Sequence, residues 1–516
     1  MADTAYISKK LAFNNAEQFK ESFYEPEPAT LGYIFLGNHT KWDNEDAPPQ
    51  ISDTTRHEKE IWDNMFAAKK ISGNDVELVT ARVDWTGNTT YCQYDDIVTQ
   101  DVLLTGNTSL NLKPMYVMTS ERNVYLCLSN NISANSTIEP TGDYNTANGF
   151  IVTSDGYLWK YMYNIKPTNK FLSNVWIPAP VSTAKLDYNV SEIGVVDGAL
   201  TQIVVTNSGS GYVTSNISTT AFTSATNQIV LNSITHVAAN MSITGTGIAP
   251  LTYITNISNT TNTVTISTST LNAGGGTGNN VTISTRVYVS GDGSGLLATA
   301  ILDQDTISKI VPSSYGSGYS HANVAIYGSG SGATARAVIP TKFGHAYNPA
   351  KELGATNVMV STKIGQIDAT EGGLISDKTT FRQYGLLRDP YKYGLTAAAN
   401  NSSSNTVISQ TTNLTLVAGS SYEVNEYVYQ GSANNATYKG YVNDQTANGV
   451  RLTKVEGTIT LGGALVGANS STSRTVVKID TPEFEPYTGD ILYAENIQPT
   501  QRTEGQAENI RLVIKF

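Results

Sequence analysis

Paired carboxylates are the residues of this chain whose type and spacing could support catalysis. Asp95 and Asp96 follow Tyr94, and Asp303 and Asp305 flank Gln304. A glycosidase needs two acids about 5 to 10 Å apart, one to protonate the leaving oxygen and one to act as nucleophile or base. Acids in β-turns more often serve local hydrogen bonding, and we prefer that reading for both clusters. Glycine-serine loops are the second candidate, because GSGY occurs at 209–212 and again at 316–319. A phosphate cradle needs G-x-x-x-x-G-K-[ST], or G-x-G-x-x-G between a strand and a helix. The lysine is missing from both, and GSGSGATARAVI (328–339) runs into alternating Ala, Val and Ile, with no helix start to receive an anion. We read these loops as tight hairpin turns in which Gly supplies positive φ and Tyr212 and Tyr319 pack over the turn.

The remaining chemistry-bearing residues are isolated. His39, His57, His236, His321 and His345 form no HxH or HExxH, and Cys92 and Cys127 belong to no CxxC. Neither a metal site nor a disulfide framework is indicated, and no G-x-S-x-G elbow marks an esterase serine. A formal net charge of -11 offers no broad basic surface, so nucleic acid is not an expected partner. No run of about 18 apolar residues suggests a membrane span, and the opening MADTAYISKKLAFNN has no apolar export core, so we expect a protein that stays in the cytosol where it is made.

The elements that would hold such residues are mainly strands. The chain has 516 residues, which calls for several domains. Only 15% are charged and Gly is abundant, which suits turn-rich β structure. Residues 1–190 read as an α+β domain. NNAEQFKESFY (14–24) predicts a short helix, and SDTTRHEKEIWDNMFAAKKI (52–71) predicts a longer one, with cap candidates, acids before lysines, and Trp62, Met65, Phe66 and Lys69 on one side. LGYIFLG, VELVTARVDW, PMYVMTSERNVYLCLS and DGYLWKYMYNI read as strands.

Beyond 190 the composition shifts and the chain repeats itself. ALTQIVVTNSGSGY (199–212) parallels TISKIVPSSYGSGY (306–319), and GDGSGLLATAIL (291–302) parallels GSGSGATARAVI. This places GSGY-type β units at 191–219 and 289–344, split by an inserted β module at 220–288 that ends in the loop NAGGGTGNN (272–280). Residues 345–396 return to ordinary composition, and a polar spacer AAANNSSSN (397–405) opens a small barrel or meander at 397–480. Residues 481–516 supply closing strands. The expected fold is mainly β and multidomain, with an α+β N-terminal domain.

Four stretches occur in an order that resembles the baseplate wedge protein family encoded by gene eight of T-even and related contractile-tailed phages. They are VTARVDWTGNTTYCQYDDI (79–97), SDGYLWKYMYNIKP (154–167), TTFRQYGLLRDP (379–390) and YTGDILYAENIQPTQRTEGQAENIRLVIKF (487–516). Most telling are Asp155, Gly156, Tyr157, Trp159 and Tyr161, then Gly489, Asp490, Tyr493, Glu495 and Asn496, and the first stretch adds Asp84 and Trp85 as candidates. The GSGY units resemble repeats in structural proteins of marine myoviruses.

The resemblance implies a family core split by inserted β modules, in a non-enzymatic virion protein without a cofactor. It also implies a homodimer held by neighbouring wedge subunits of the tail baseplate, assembled in the host cytoplasm and coupling host contact to sheath contraction. The inserts offer surface for a tail fibre or its adaptor. The twelve residues above are then family-motif or interface candidates, and none is catalytic. The competing reading is a tail-associated protein that binds or cleaves glycans.

Overall fold

A computed structural model describes residues 8–24, 31–37, 40–181, 195–272, 280–364, 379–395, 407–502 and 507–516. The spacer at 397–405 and most of the loop at 272–280 lie outside them. The fold is mainly β and multidomain, with few and short helices. The chain divides into one compact unit made from both its ends, residues 1–79 and 356–516, and another made from residues 80–355.

In the first unit the strand Gly32–Gly37 is buried at every residue. GYIFLG carries apolar side chains on both faces, as expected of a strand covered on both sides. It is flanked by Met65–Ile71 and Thr380–Arg388, with Val407–Ser409 and Asp490–Gln501 as the outer strands of the five. A second sheet pairs Asn357–Ile364 with both Val76–Ala81 and Glu508–Lys515. The helix Lys9–Glu21 buries Phe13, Ala16 and Lys20, one stripe at helical spacing. The Lys20 ammonium reaches the buried carboxylate of Glu77. Residues 412–480 close into a six-stranded barrel whose interior includes Leu414, Val428, Val442, Leu452, Leu465 and Val476.

One helix is shorter than its sequence predicts. Thr54 caps it by accepting from the His57 amide at 3.3 Å, but it ends at Asn64, and Met65–Ile71 is a strand. Met65, Phe66, Ala67 and Ala68 are all buried, which one helical stripe could not achieve. The backbone of Gly32–Gly37 needs a partner on that side, so tertiary pairing overrides a helical pattern that Ala and Lys favour locally.

In the second unit the two GSGY copies build one six-stranded sheet with an internal two-fold relation. Ile203 and Ile310, equivalent in the two copies, pair with each other in antiparallel register. Tyr288 and Ala325, also equivalent, do the same on the opposite side of the sheet. The Gly-rich stretch of each copy pairs with the GSGY strand of the other. Ala300 faces Ile310 and Ala298 faces Pro312, while Ala337 faces Ile203 and Ala335 faces Val205.

These glycine runs are not hairpin tips, as the sequence suggests. They are strand ends laid side by side, and the hairpin turn is at Gln304. Equivalent glycines share conformations, with φ of 60° and 61° at Gly209 and Gly316. The tyrosine of one copy covers the glycines of the other. A Cβ on Gly330 would lie 2.6 Å from the Tyr212 ring, and one on Gly293 would lie 2.5 Å from the Tyr319 ring. Glycine is required there because two backbones and a ring occupy the space of a side chain.

Between the strands of the first copy, residues 215–284 form two three-stranded sheets around their own core of Ile217, Ile229, Leu231, Met241, Ile243 and neighbours. The paired glycines carry a direct prediction. Gly330→Ala, whose Cβ would also sit 2.3 Å from the Ser210 carbonyl oxygen, is expected to lower stability by about 1–3 kcal/mol. The change should appear as a lower urea midpoint with faster amide exchange in 203–207 and 294–317, and unchanged exchange in those strands would contradict the packing described.

Candidate functional site

The motif around Asp155 folds as a hairpin. Phe150–Val152 and Leu158–Asn164 are its strands, and Gly156, at φ +83°, completes the turn. The Asp155 carboxylate accepts hydrogen bonds from the amides of Thr137 at 2.7 Å and Ile138 at 3.0 Å, and from the Thr153 hydroxyl at 2.5 Å. Burial alone would raise its pKa. The hydrogen bonds from Thr153, Thr137, Ile138 and Tyr157 together outweigh burial and hold it below the ordinary carboxylate value.

Behind the turn, Tyr157 stacks on Trp159 with centroids 5.3 Å apart, Tyr91 meets Trp159 edge-on, and Tyr161 meets Tyr125 at 5.7 Å. Trp159 and Tyr157 are fully buried and Tyr161 nearly so. These three side chains are packed into the core. Trp85 joins the same cluster from the other motif, its indole N–H donating to the Ser136 hydroxyl at 3.2 Å, and Ser136 in turn lies 3.4 Å from Asp155.

Asp84 and Trp85 also border an open cleft of about 550 Å³, lined by Arg82, Ser120, Arg122 and Glu139 among others. Arg82 donates through Nε to both carboxylate oxygens of Asp84, at 2.9 and 3.0 Å, and through Nη1 to the Ser173 carbonyl. Glu139 accepts from the amide of Ser120 at 2.8 Å and from its hydroxyl at 3.3 Å. Arg122 stands at φ +63° in the turn before Asn123–Ser129, with Nε donating to the Ile165 carbonyl at 3.2 Å. Sequence reasoning missed Arg82, Arg122 and Glu139. Arg82 could have been found from its position two residues before Asp84 on an extended segment, hence on the same face. Arg122 gave no signal, because its turn position suits Gly or Asn.

In the first unit the closing motif lies on Asp490–Gln501, which pairs with Thr380–Arg388. Gly489, at φ +70°, turns into the strand, and Asp490 meets Arg388 at 2.6 Å. The hydroxyls of Tyr493 and Tyr384 donate to the same Glu495 oxygen at 2.6 and 2.7 Å. Burial, and then the hydrogen bond to Glu495, push the Tyr493 phenol up to about 12 and Tyr384 also upward. Asn496 accepts from Gln383 and donates to the Pro49 carbonyl, each at 2.8 Å.

The acid clusters are engaged structurally. Asp95 and Asp96 hold Arg336 at 2.5 and 2.7 Å, and Asp305 accepts from the Gly211 amide at 3.0 Å. Cys92 and Cys127 are free and buried, and burial raises both thiols. His345 contacts Glu352 in the interior. Among the described residues no three His, Cys, Asp or Glu side chains are grouped to hold a metal, and no helix is long and apolar enough to cross a membrane.

The motif residues therefore gather in two places, one in each unit, and in each they form packed, hydrogen-bonded structure. No protein-family model and no curated protein matches the chain.

Two outcomes follow from these carboxylates. A lowered folded-state pKa means that Asp155 stabilises the fold fully above the unfolded value, near about 3.9, and loses that effect as pH falls through the folded value. Asp155→Asn should thus cost about 1–3 kcal/mol at neutral pH, and urea titrations of both proteins should show the difference shrinking below about pH 4. A difference that grew on acidification would contradict the assignment. Glu495→Gln should move the Tyr493 phenol down from about 12, read by NMR of ring-labelled tyrosine, and an unchanged titration would contradict the shared hydrogen bond.

Proposed function

We propose that the chain is a structural subunit of a phage tail baseplate wedge, acting as a homodimer among neighbouring wedge subunits in the virion and without catalysis of its own. The observation that carries this reading is how the four resembling stretches fold. The first packs with the second through Trp85, Tyr91, Tyr157 and Trp159, and the third pairs with the fourth along Thr380–Arg388 and Asp490–Gln501. Fortuitous matches have no physical reason to fold against each other in sequence order, whereas words of one shared core do.

The open edges suit an assembly role. Asp490–Gln501 and Glu508–Lys515 each pair with a strand on one side, and no strand lies on the other among the described residues. Long edge strands are hazardous in an isolated protein and are made safe by pairing or by cover. Segment 40–50 covers part of one of them, with Trp42 donating to the Ile497 carbonyl at 3.1 Å and Gln498 reaching the Asp46 carbonyl. The upstream half of that strand, where the closing motif begins, is left for a partner. In this role the acidic surface serves solubility before assembly.

Sedimentation equilibrium across micromolar concentrations should show a stable dimer, and electron cryomicroscopy of particles carrying a tagged chain should place the tag around the six-fold base of the tail. A strictly monomeric protein, or a tag located elsewhere on the particle, would overturn the proposal.

A further inference from the structure

We propose that the cleft beside Asp84 and Trp85 binds a carboxylated sugar, with the carboxylate on the guanidinium of Arg122 and the sugar ring against the Trp85 indole. Two arginines and two carboxylates line the cleft, but they are not equally engaged. Asp84 is held by Arg82, and both oxygens of Glu139 are occupied by Ser120. Arg122 uses only Nε, on the Ile165 carbonyl, and its two Nη groups have no partner among the described residues. The group in the cleft with unused donors is thus a planar fork of N–H groups, which matches a carboxylate bidentately.

The backbone adds a second observation. Arg122 occupies a left-handed turn position, φ +63°, where Asn or Gly would fit at lower cost. Its amide donates to the Thr119 carbonyl and its own carbonyl accepts from Ile165. Any residue type but proline could supply those two backbone bonds. An arginine there is explained by what its side chain reaches.

Two features favour a sugar over a peptide. The backbone at the floor of the cleft is already used: the Met118 amide donates to the Val83 carbonyl, the Met118 carbonyl accepts from Trp85, and the Thr119 amide donates to Asn123. An extended peptide would find no free strand edge there, so recognition falls to side chains. Those side chains are the half-buried Trp85 indole at the cleft wall, the exposed Ser120 hydroxyl, and the exposed carboxylate of Asp84, which retains lone pairs for ring hydroxyls. The size suits a small ligand, since binding clefts commonly enclose about 300–1,000 Å³. This inference does not depend on the baseplate reading.

The test is isothermal titration of the full chain with trigalacturonate, alongside maltotriose, triglutamate and acetate. Trigalacturonate should bind and change tryptophan fluorescence, with maltotriose weaker by about tenfold or more, the effect of losing one charge-assisted pair. Arg122→Asn keeps a residue suited to the turn and should weaken trigalacturonate by about tenfold or more on the same ground. Trp85→Phe should weaken it severalfold, with circular dichroism unchanged in both variants. Equal binding of maltotriose, or full retention by Arg122→Asn, would overturn the proposal. Triglutamate binding as tightly would show a peptide site instead, and acetate displacing the trisaccharide at equal concentration would show an anion site only. Either result overturns the assignment to a sugar.

Discussion

The first unit depends on one strand finding partners far away in the chain. Gly32–Gly37 is buried on both faces and hydrogen-bonded on both edges, so each of its amides and carbonyls needs a partner out of water. One edge is met by Met65–Ile71, close in sequence, and the other by Thr380–Arg388, which arrives only after the whole second unit. The fit is tight. Gly385 lies where a Cβ would sit 2.5 Å from the Phe35 ring and 2.2 Å from the Tyr493 carbonyl oxygen. From the standpoint of this sheet, residues 80–355 are a loop, and closure entropy rises only logarithmically with loop length. A large folded insertion is therefore compatible with the sheet, provided that its own core stabilises it.

That condition is met by separate cores. The aromatic cluster at Trp159, the sheet made from the two GSGY copies and the module at 215–284 each bury their own apolar residues. The first two are joined by both apolar and charged contacts, Tyr315 packing on Phe150 at 4.7 Å and Arg336 reaching across the chain to Asp95 and Asp96. Within the first, Asp155 ties its turn to Thr137 and Ile138. Charged groups with several short hydrogen bonds fix geometry as well as adding stability.

Much of this was legible in the sequence, and the failures have identifiable physical causes. Alternating β-branched residues and plentiful Gly revealed a mainly β chain, because side-chain period and turn chemistry are local properties. Met65–Ile71 was misread as helix because its local pattern is helical, and only the unmet edge of Gly32–Gly37 makes it a strand. The repeat was visible, but the exchange of partners between copies was not, since nothing local says which strand a glycine run will meet. The roles of Asp95 and Asp96 were hidden because Arg336 is 240 residues away from Asp96. The cleft was half visible: Asp84 and Trp85 were singled out, while Arg122 and Glu139 reach it only through the folded turn.

The pairing of the two copies has a consequence for what a single copy could be. Each GSGY strand finds its glycine-rich partner in the other copy, and the equivalent residues Ile203 and Ile310 meet on the pseudo-two-fold axis. A lone copy would leave its GSGY strand without its glycine-rich partner and would be complete only beside a second molecule, across an isologous interface. The sheet is in this sense a strand-swapped dimer written into one polypeptide. The tether replaces a concentration-dependent association with an intramolecular one of high effective concentration.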